Sequence, residues 1–156
     1  MTESVVVKQL LDERLILAFV SDPSLFNSMM DDTPCSPEDL DPNTVSPGVK
    51  WLGIYVDNAL VGVWYLNQLN HIMWQIHVAY SPKVWGTGIP KKTVKIALDK
   101  AFEVTKAKKM YANIPTAYKQ VVGFAKAGGM KIEGTCKCSW QKDGQIYDTY
   151  HMGVYR

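Results

Sequence analysis

No stretch of this sequence stays apolar for the roughly 18 to 20 residues that a membrane-crossing helix requires, although 47% of its residues are hydrophobic. Met1 to Asp12 also lacks the basic-then-apolar grading of a secretion signal. The expectation is a soluble, unexported, cytoplasmic protein. Cysteine is scarce: Cys35, Cys136 and Cys138 make an odd set, and a pair two residues apart on one face of a strand has poor disulfide geometry. Reduced thiols fit best. Neither these cysteines nor His71, His77 and His151 follow a zinc-binding spacing such as C-x-x-C, so no metal is expected. The 156 residues are too few for two ordinary domains. Residues 1–156 are read as one domain, without repeats or low-complexity tracts.

Net charge is only +2 but unevenly placed. Residues 1–50 carry nine Asp or Glu against three Lys or Arg, and residues 51–156 carry six against fourteen. Such asymmetry suits an anionic partner for the basic part and a cationic one for the acidic part. Nucleic acid is disfavoured, because Lys91, Lys92, Lys95, Lys100, Lys106, Lys108 and Lys109 cluster on one helix and its end without an interleaved aromatic platform.

Ser4 to Leu10 reads as a first strand, followed by a helix that Asp12 caps. Pro23 suits the first turn of a second helix, ending near Asp31. Asp32 to Gly48 holds four prolines and four carboxylates and no Lys or Arg, which makes a loop, with one short helical turn after Ser36. A loop of this length in a compact domain is more often functional or disordered than merely connecting. Asp31 to Asp41 is a candidate guide for a cationic acceptor.

Lys50 to Val56, Leu60 to Leu66 and His71 to Tyr80 form an antiparallel meander with a turn at Asp57-Asn58. A helix over Pro90 to Ala107 follows, its apolar face Val94, Ala97, Leu98, Ala101 and Phe102. Lys109 to Ile114 is a fifth strand and Ala117 to Ala127 a helix stopped by Gly128-Gly129. Lys131 to Gln141 and Gln145 to Tyr155 pair as a hairpin.

Between the fourth strand and the long helix lies Trp85-Gly86-Thr87-Gly88-Ile89-Pro90. Glycines at a strand-to-helix turn let the backbone approach a ligand, and a helix N-terminus offers unpaired N–H groups to an anion. This chemistry suits a pyrophosphate. Lys91 and Lys92 oppose the helix dipole there, which an intervening anion would explain.

Tyr80 to Pro90 resembles the V-x-P-x-x-(R/Q)-G-x-G-x-(G/A) stretch of the GNAT acetyltransferase superfamily, with Pro82, Gly86 and Gly88 in place. Trp85 stands at the Arg/Gln position and Pro90 at the final Gly/Ala. Phe124 to Gly134 is similar to that family's F-Y-E-K-L-G-F-x-x-E-G, with Ala125 at the tyrosine position. The resemblance spans roughly residues 4–155. It implies an α/β (α+β) GNAT fold: a central, mixed, mostly antiparallel sheet of about seven strands, flanked by about four helices and splayed between strands four and five. It further implies an acetyl-CoA-dependent N-acetyltransferase, with CoA held by Val78, Ala79, Tyr80, Trp85, Gly86, Thr87, Gly88, Ile89 and Lys91. The acceptor would be a small-molecule amine, a protein lysine or a protein N-terminus.

The family's tyrosine acid is missing at Ala125, and the fourth strand has no carboxylate. His77 is the only group there that titrates near neutrality, so it is the candidate base. Tyr118, with Tyr80 and Tyr111, is the candidate acid. The divergence also admits a binding or assembly protein of GNAT fold, such as a bacteriophage head-assembly or virion component with phage structural proteins as partners. A homodimer is compatible with either.

Overall fold

Buried residues alternate along the strands, and that alternation decides how the layers stack. In the computed structural model, which describes residues 3–156, the strands are β1 (Val5–Gln9), β2 (Val49–Val56), β3 (Ala59–Gln68), β4 (Met73–Tyr80), β5 (Lys109–Pro115), β6 (Lys131–Lys142) and β7 (Gln145–Tyr155). The helices are α1 (Glu13–Val20), α2 (Pro23–Met29), α3 (Ile89–Thr105) and α4 (Lys119–Ala127). One seven-stranded sheet has the order β1-β2-β3-β4-β5-β7-β6, so β7 inserts between β5 and β6. Neighbours are antiparallel except β4 and β5, which run parallel. The mixed architecture and the element order are those expected from the sequence.

Local chemistry sets the ends of the elements. Asp12 and Asp22 accept from the N–H groups of Leu15 and Leu25 at 3.1 Å, capping α1 and α2. Asp57 and Asn58 take φ of 47° and 68°, and Asp143 and Gly144 take 50° and 75°. Two successive left-handed residues fit a type I′ turn, whose twist matches the strands it joins. Several boundaries shift from expectation by a residue or two. β4 begins at Met73 because Asn70 Oδ1 accepts from the N–H groups of Ile72 and Met73, holding His71 in the turn. α4 begins at Lys119 because Tyr118 N–H is taken by Pro115 O in a preceding turn. α2 ends at Met29, where Met30 becomes extended. Cys136 and Cys138 do not share a regular strand face: the register slips between Cys136 and Trp140, and Cys138 takes a φ of 50°.

Leu52, Ile54, Trp64, Leu66, Trp74 and Ile76 form one sheet face with Val94, Ala97, Leu98, Ala101 and Phe102 of α3. On the opposite face Val63 and Ala79 pack under Ile16, Val20 and Leu25 from α1 and α2. A smaller cluster joins Ala112 and Ile114 of β5 to Val122 and Ala125 of α4 and Met152 of β7. Gly128 lets the end of α4 meet α3: a Cβ there would stand 2.7 Å from Leu98 Cδ1 and 2.8 Å from Val94 Cγ2. Both neighbours are 2% exposed and cannot swing away. Gly128→Ala should therefore cost about 1–3 kcal/mol by overpacking, read as a lower chemical-denaturation midpoint. An unchanged midpoint would show that the two helices can part without cost.

Candidate functional site

β4 and β5 pair only at Met73–Lys109, Trp74–Met110 and Gln75–Tyr111. Beyond that point β4 continues against β3 as far as Tyr80, and β5 continues against β7 as far as Pro115. The strands thus open as a V whose apex is Gln75 and Tyr111. Ser81 N–H donates to Val61 O on the β3 side. Because backbone polar groups alternate sides along an antiparallel strand, Ile76, Val78 and Tyr80 turn theirs away from β3 and into the gap. Val78 offers both an N–H and a C=O there. The Tyr80 carbonyl is already used, since Trp85 Nε1–H donates to it at 2.8 Å. The Tyr80 hydroxyl is used as well, bonded at 2.7 Å to buried Thr93 in the first turns of α3. Gly62 leaves room for the Tyr80 ring, which a Cβ would approach to 2.8 Å. Tyr80 therefore fastens β4 to α3 and sets where the glycine turn stands.

In that turn Gly86 and Gly88 adopt φ of 74° and 83°, and a Cβ at either would meet nothing within 4 Å. Thr87 Oγ1 donates to Val84 O, and Ile89 N–H reaches back to Thr87 Oγ1 at 3.3 Å. The N–H groups of Gly86, Gly88 and Lys91 have no acceptor among the described residues. Pro90 has no N–H to give. Open space lined by free donors at a helix N-terminus fits a pyrophosphate. Lys92 is 3.5 Å from Glu3 in an exposed ion pair, while Lys83 before the turn and Lys91 after it have no ion-pair partner among the described residues. Trp85 supplies no positive charge where the family motif has Arg or Gln.

His77 lies on β4 with its side chain on the α1–α2 side of the sheet, as Ala79 does. Its ring sits 5.5 Å from that of Tyr65. It is exposed to solvent on this face, yet desolvation by the surrounding atoms lowers its pKa below the ordinary value. The shift favours the neutral imidazole. Tyr111 at the apex shares this sheet face. Its hydroxyl is 2.5 Å from Nδ1 of His151 on β7, and desolvation raises its pKa. Nothing in the motifs pointed to His151, because its place beside β5 follows only from β7 inserting there. Tyr118 is set apart from this group: its ring meets Trp140 edge-on at 5.1 Å and burial raises its pKa. No hydrogen bond or ring contact joins it to His77 among the described residues. Ala125, at the family's tyrosine position, is 3% exposed in the cluster beneath β5.

The acidic loop is ordered by its own carboxylates. Asp32 accepts from the N–H groups of Asp143 and Gly144 at 2.8 and 2.9 Å, and Lys142 Nζ donates to Asn27 O and Met30 O. This clasp ties the end of α2 to the β6–β7 turn. Backbone N–H donation from Thr33 and Ser36 holds the Asp31 and Asp39 carboxyls below the usual range, so both stay ionised in neutral solution. Among the described residues no three His, Cys, Asp or Glu side chains gather as metal ligands, and no helix is long and apolar enough to cross a membrane.

Residues 17–129 match the family model described as the acetyltransferase (GNAT) family. The chain belongs to the GNAT acetyltransferase family. No curated protein matches it by sequence, and solved structures place its fold among GNAT enzymes. A spermidine N-acetyltransferase from Vibrio cholerae, crystallised with CoA and spermine, is 17% identical with a TM-score of 0.79, covering 97% of this chain and 95% of that one. A ribosomal-protein-alanine N-acetyltransferase from Brucella melitensis is 18% identical with a TM-score of 0.77, covering 97% and 99%. The splayed sheet and the glycine turn of this GNAT member are the fold features that such likeness leads one to expect.

Proposed function

We propose that this GNAT member is an acetyl-CoA-dependent N-acetyltransferase whose acceptor is a primary amine. The observation that carries this reading is the open edge of β4 leading directly to the unoccluded Gly86–Gly88 turn with its free donors. Gly86, Thr87, Gly88, Ile89 and Lys91 hold the phosphates at the start of α3, and Trp85 walls the turn. Val78, flanked by Ala79 and Tyr80, pairs with the amide-bearing arm. When bound, acetyl-CoA supplies an acetyl group activated as a thioester. His77 takes the proton that the amine must lose, directly or through one water. The ionised Asp31 and Asp39 favour a cationic acceptor near the loop. A polyamine, which one structural neighbour holds as spermine, has that chemistry, and so do a protein lysine and a protein N-terminus.

Calorimetry with CoA and with acetyl-CoA, followed by a thiol-release assay over polyamines and peptides, tests the reading. Binding of both ligands and acetylation of at least one amine are expected. Absence of binding would overturn the site, and binding without turnover across the panel would leave a ligand-binding protein of acetyltransferase fold. Ala125, which brings no hydroxyl to the gap, is the feature that favours that second reading.

A further inference from the structure

We propose that the Tyr111 hydroxyl, held by His151, protonates the sulfur that leaves when the acetyl group is transferred. The inference rests on the acetyltransferase reading and assigns it an acid that the family motif does not provide. Tyr111 is the last residue of β5 to pair with β4, so it stands where the gap closes. A chain lying in the gap with its phosphates at Gly86–Lys91 points its other end toward this apex. Tyr111 and His77 then flank the same place from opposite arms of the V, on the sheet face that α1 and α2 leave uncovered.

The pairing with His151 gives the tyrosine a fixed direction and a source of protons. The O···Nδ1 separation of 2.5 Å puts the two groups in direct hydrogen-bond contact. When Nδ1 carries its proton it donates to the phenolic oxygen, and the hydroxyl hydrogen is free to point into the gap. In the transfer the amine nitrogen forms a bond to the acetyl carbon and the carbon–sulfur bond breaks. His77 receives the proton released by nitrogen. Tyr111 gives its proton to the thiolate and regains one from His151 Nδ1, and solvent restores the two imidazoles. The net change is one proton moved from nitrogen to sulfur. Desolvation keeps Tyr111 protonated through neutral and mildly alkaline solution, as an acid must be.

The titratable groups that share this sheet face with Tyr111 and His151 are His77 from β4, Tyr65 from β3, Tyr155 from β7, Lys131 and Cys136 from β6 and the Lys109–Glu133 ion pair, 2.6 Å long, which arches over Gly153 of β7. Cys136 lies close enough for its charge to oppose ionisation of Tyr111. A Cys136→Ser control separates its titration from that of the bound thiol.

The test is the titration of CoA bound to the wild-type protein and to Tyr111→Phe, followed by the ultraviolet absorbance of its thiolate. A hydroxyl that donates to sulfur stabilises the thiolate, so the bound thiol should ionise about one pH unit lower in the wild type than in the variant. Tyr111→Phe should also lower kcat about a hundredfold with an acetyl-CoA dissociation constant within about twofold of wild type. Because the amide of asparagine can stand near the Nδ1 position, His151→Asn should keep more of kcat than His151→Ala. Identical thiol titrations, or a full kcat in Tyr111→Phe, would overturn the assignment. Where wild-type protein binds CoA and acetylates nothing, the function proposed above fails, while the thiol titration still decides whether Tyr111 meets the sulfur.

Discussion

His77→Ala should lower kcat by roughly ten- to a thousandfold while acetyl-CoA affinity stays close to wild type. The size of the effect follows from scarcity: β4 carries no carboxylate, and the Tyr80 hydroxyl is bonded to Thr93. The pH dependence has a definite sign. A general base works in its neutral form, so the wild-type rate rises with pH through the His77 pKa and levels off above it. Desolvation places that pKa below the ordinary value of 6.5, which puts the ascending limb on the acid side of 6.5 and the plateau across neutrality. In His77→Ala that limb should be absent and the remaining rate should follow only the ionisation of the amine itself. Steady-state kinetics from weakly acidic to weakly alkaline buffer would read both effects. A variant with full rate and an unaltered limb would mean that solvent carries the proton.

Replacement of Gly88 should cost CoA binding a hundredfold or more, about 2.7 kcal/mol, with the fold retained. Gly88 caps α3 at a φ of 83°, a conformation that a β-branched residue adopts only with strain. Gly88→Val combines that strain with a side chain thrust into the space proposed for the phosphates. Gly88→Asn separates the two effects, because asparagine tolerates the left-handed region yet still projects into the same space. Both variants should lose affinity in calorimetry, and only the valine variant should melt measurably lower. If Gly88→Asn binds CoA as tightly as wild type, the phosphates lie elsewhere.

The sequence showed most of the fold because its signals are local. Asp12 and Asp22 cap helices where they stand, Asp57-Asn58 and Asp143-Gly144 impose their hairpins, and Val94, Ala97 and Leu98 recur at helical spacing. The cradle was legible for the same reason, since two glycines and a helix start are adjacent in the chain. What was hidden depends on pairing across the sheet. Trp85 is visible as a departure from the family motif, but its indole bond to the Tyr80 carbonyl needs the turn to fold back on β4. The Tyr111–His151 contact joins residues 40 positions apart. It arises only because β7 enters between β5 and β6, an order that hydrophobic alternation cannot distinguish from a simple meander. Tyr118 has the chemistry of an acid in the sequence, and the structure sets its ring against Trp140 and the cluster that holds Val122 and Ala125 instead of against His77.

The insertion of β7 also bears on how the molecule is made. A ribosome releases β5 well before β7, with α4 and β6 between them, and β5 has no ladder with β6 to occupy that edge in the meantime. Until β7 emerges, β5 has β4 along only its first residues, His151 has not reached Tyr111, and Asp32 has no Asp143-Gly144 turn to hold. Long-range pairings of this kind form late, because the entropy of closing the loop precedes the contacts that offset it. The glycine turn proposed as the phosphate cradle, by contrast, is encoded between β4 and α3 and needs none of those later residues. During synthesis the half of the site proposed to grip phosphates can therefore take shape before the half proposed for proton transfer exists.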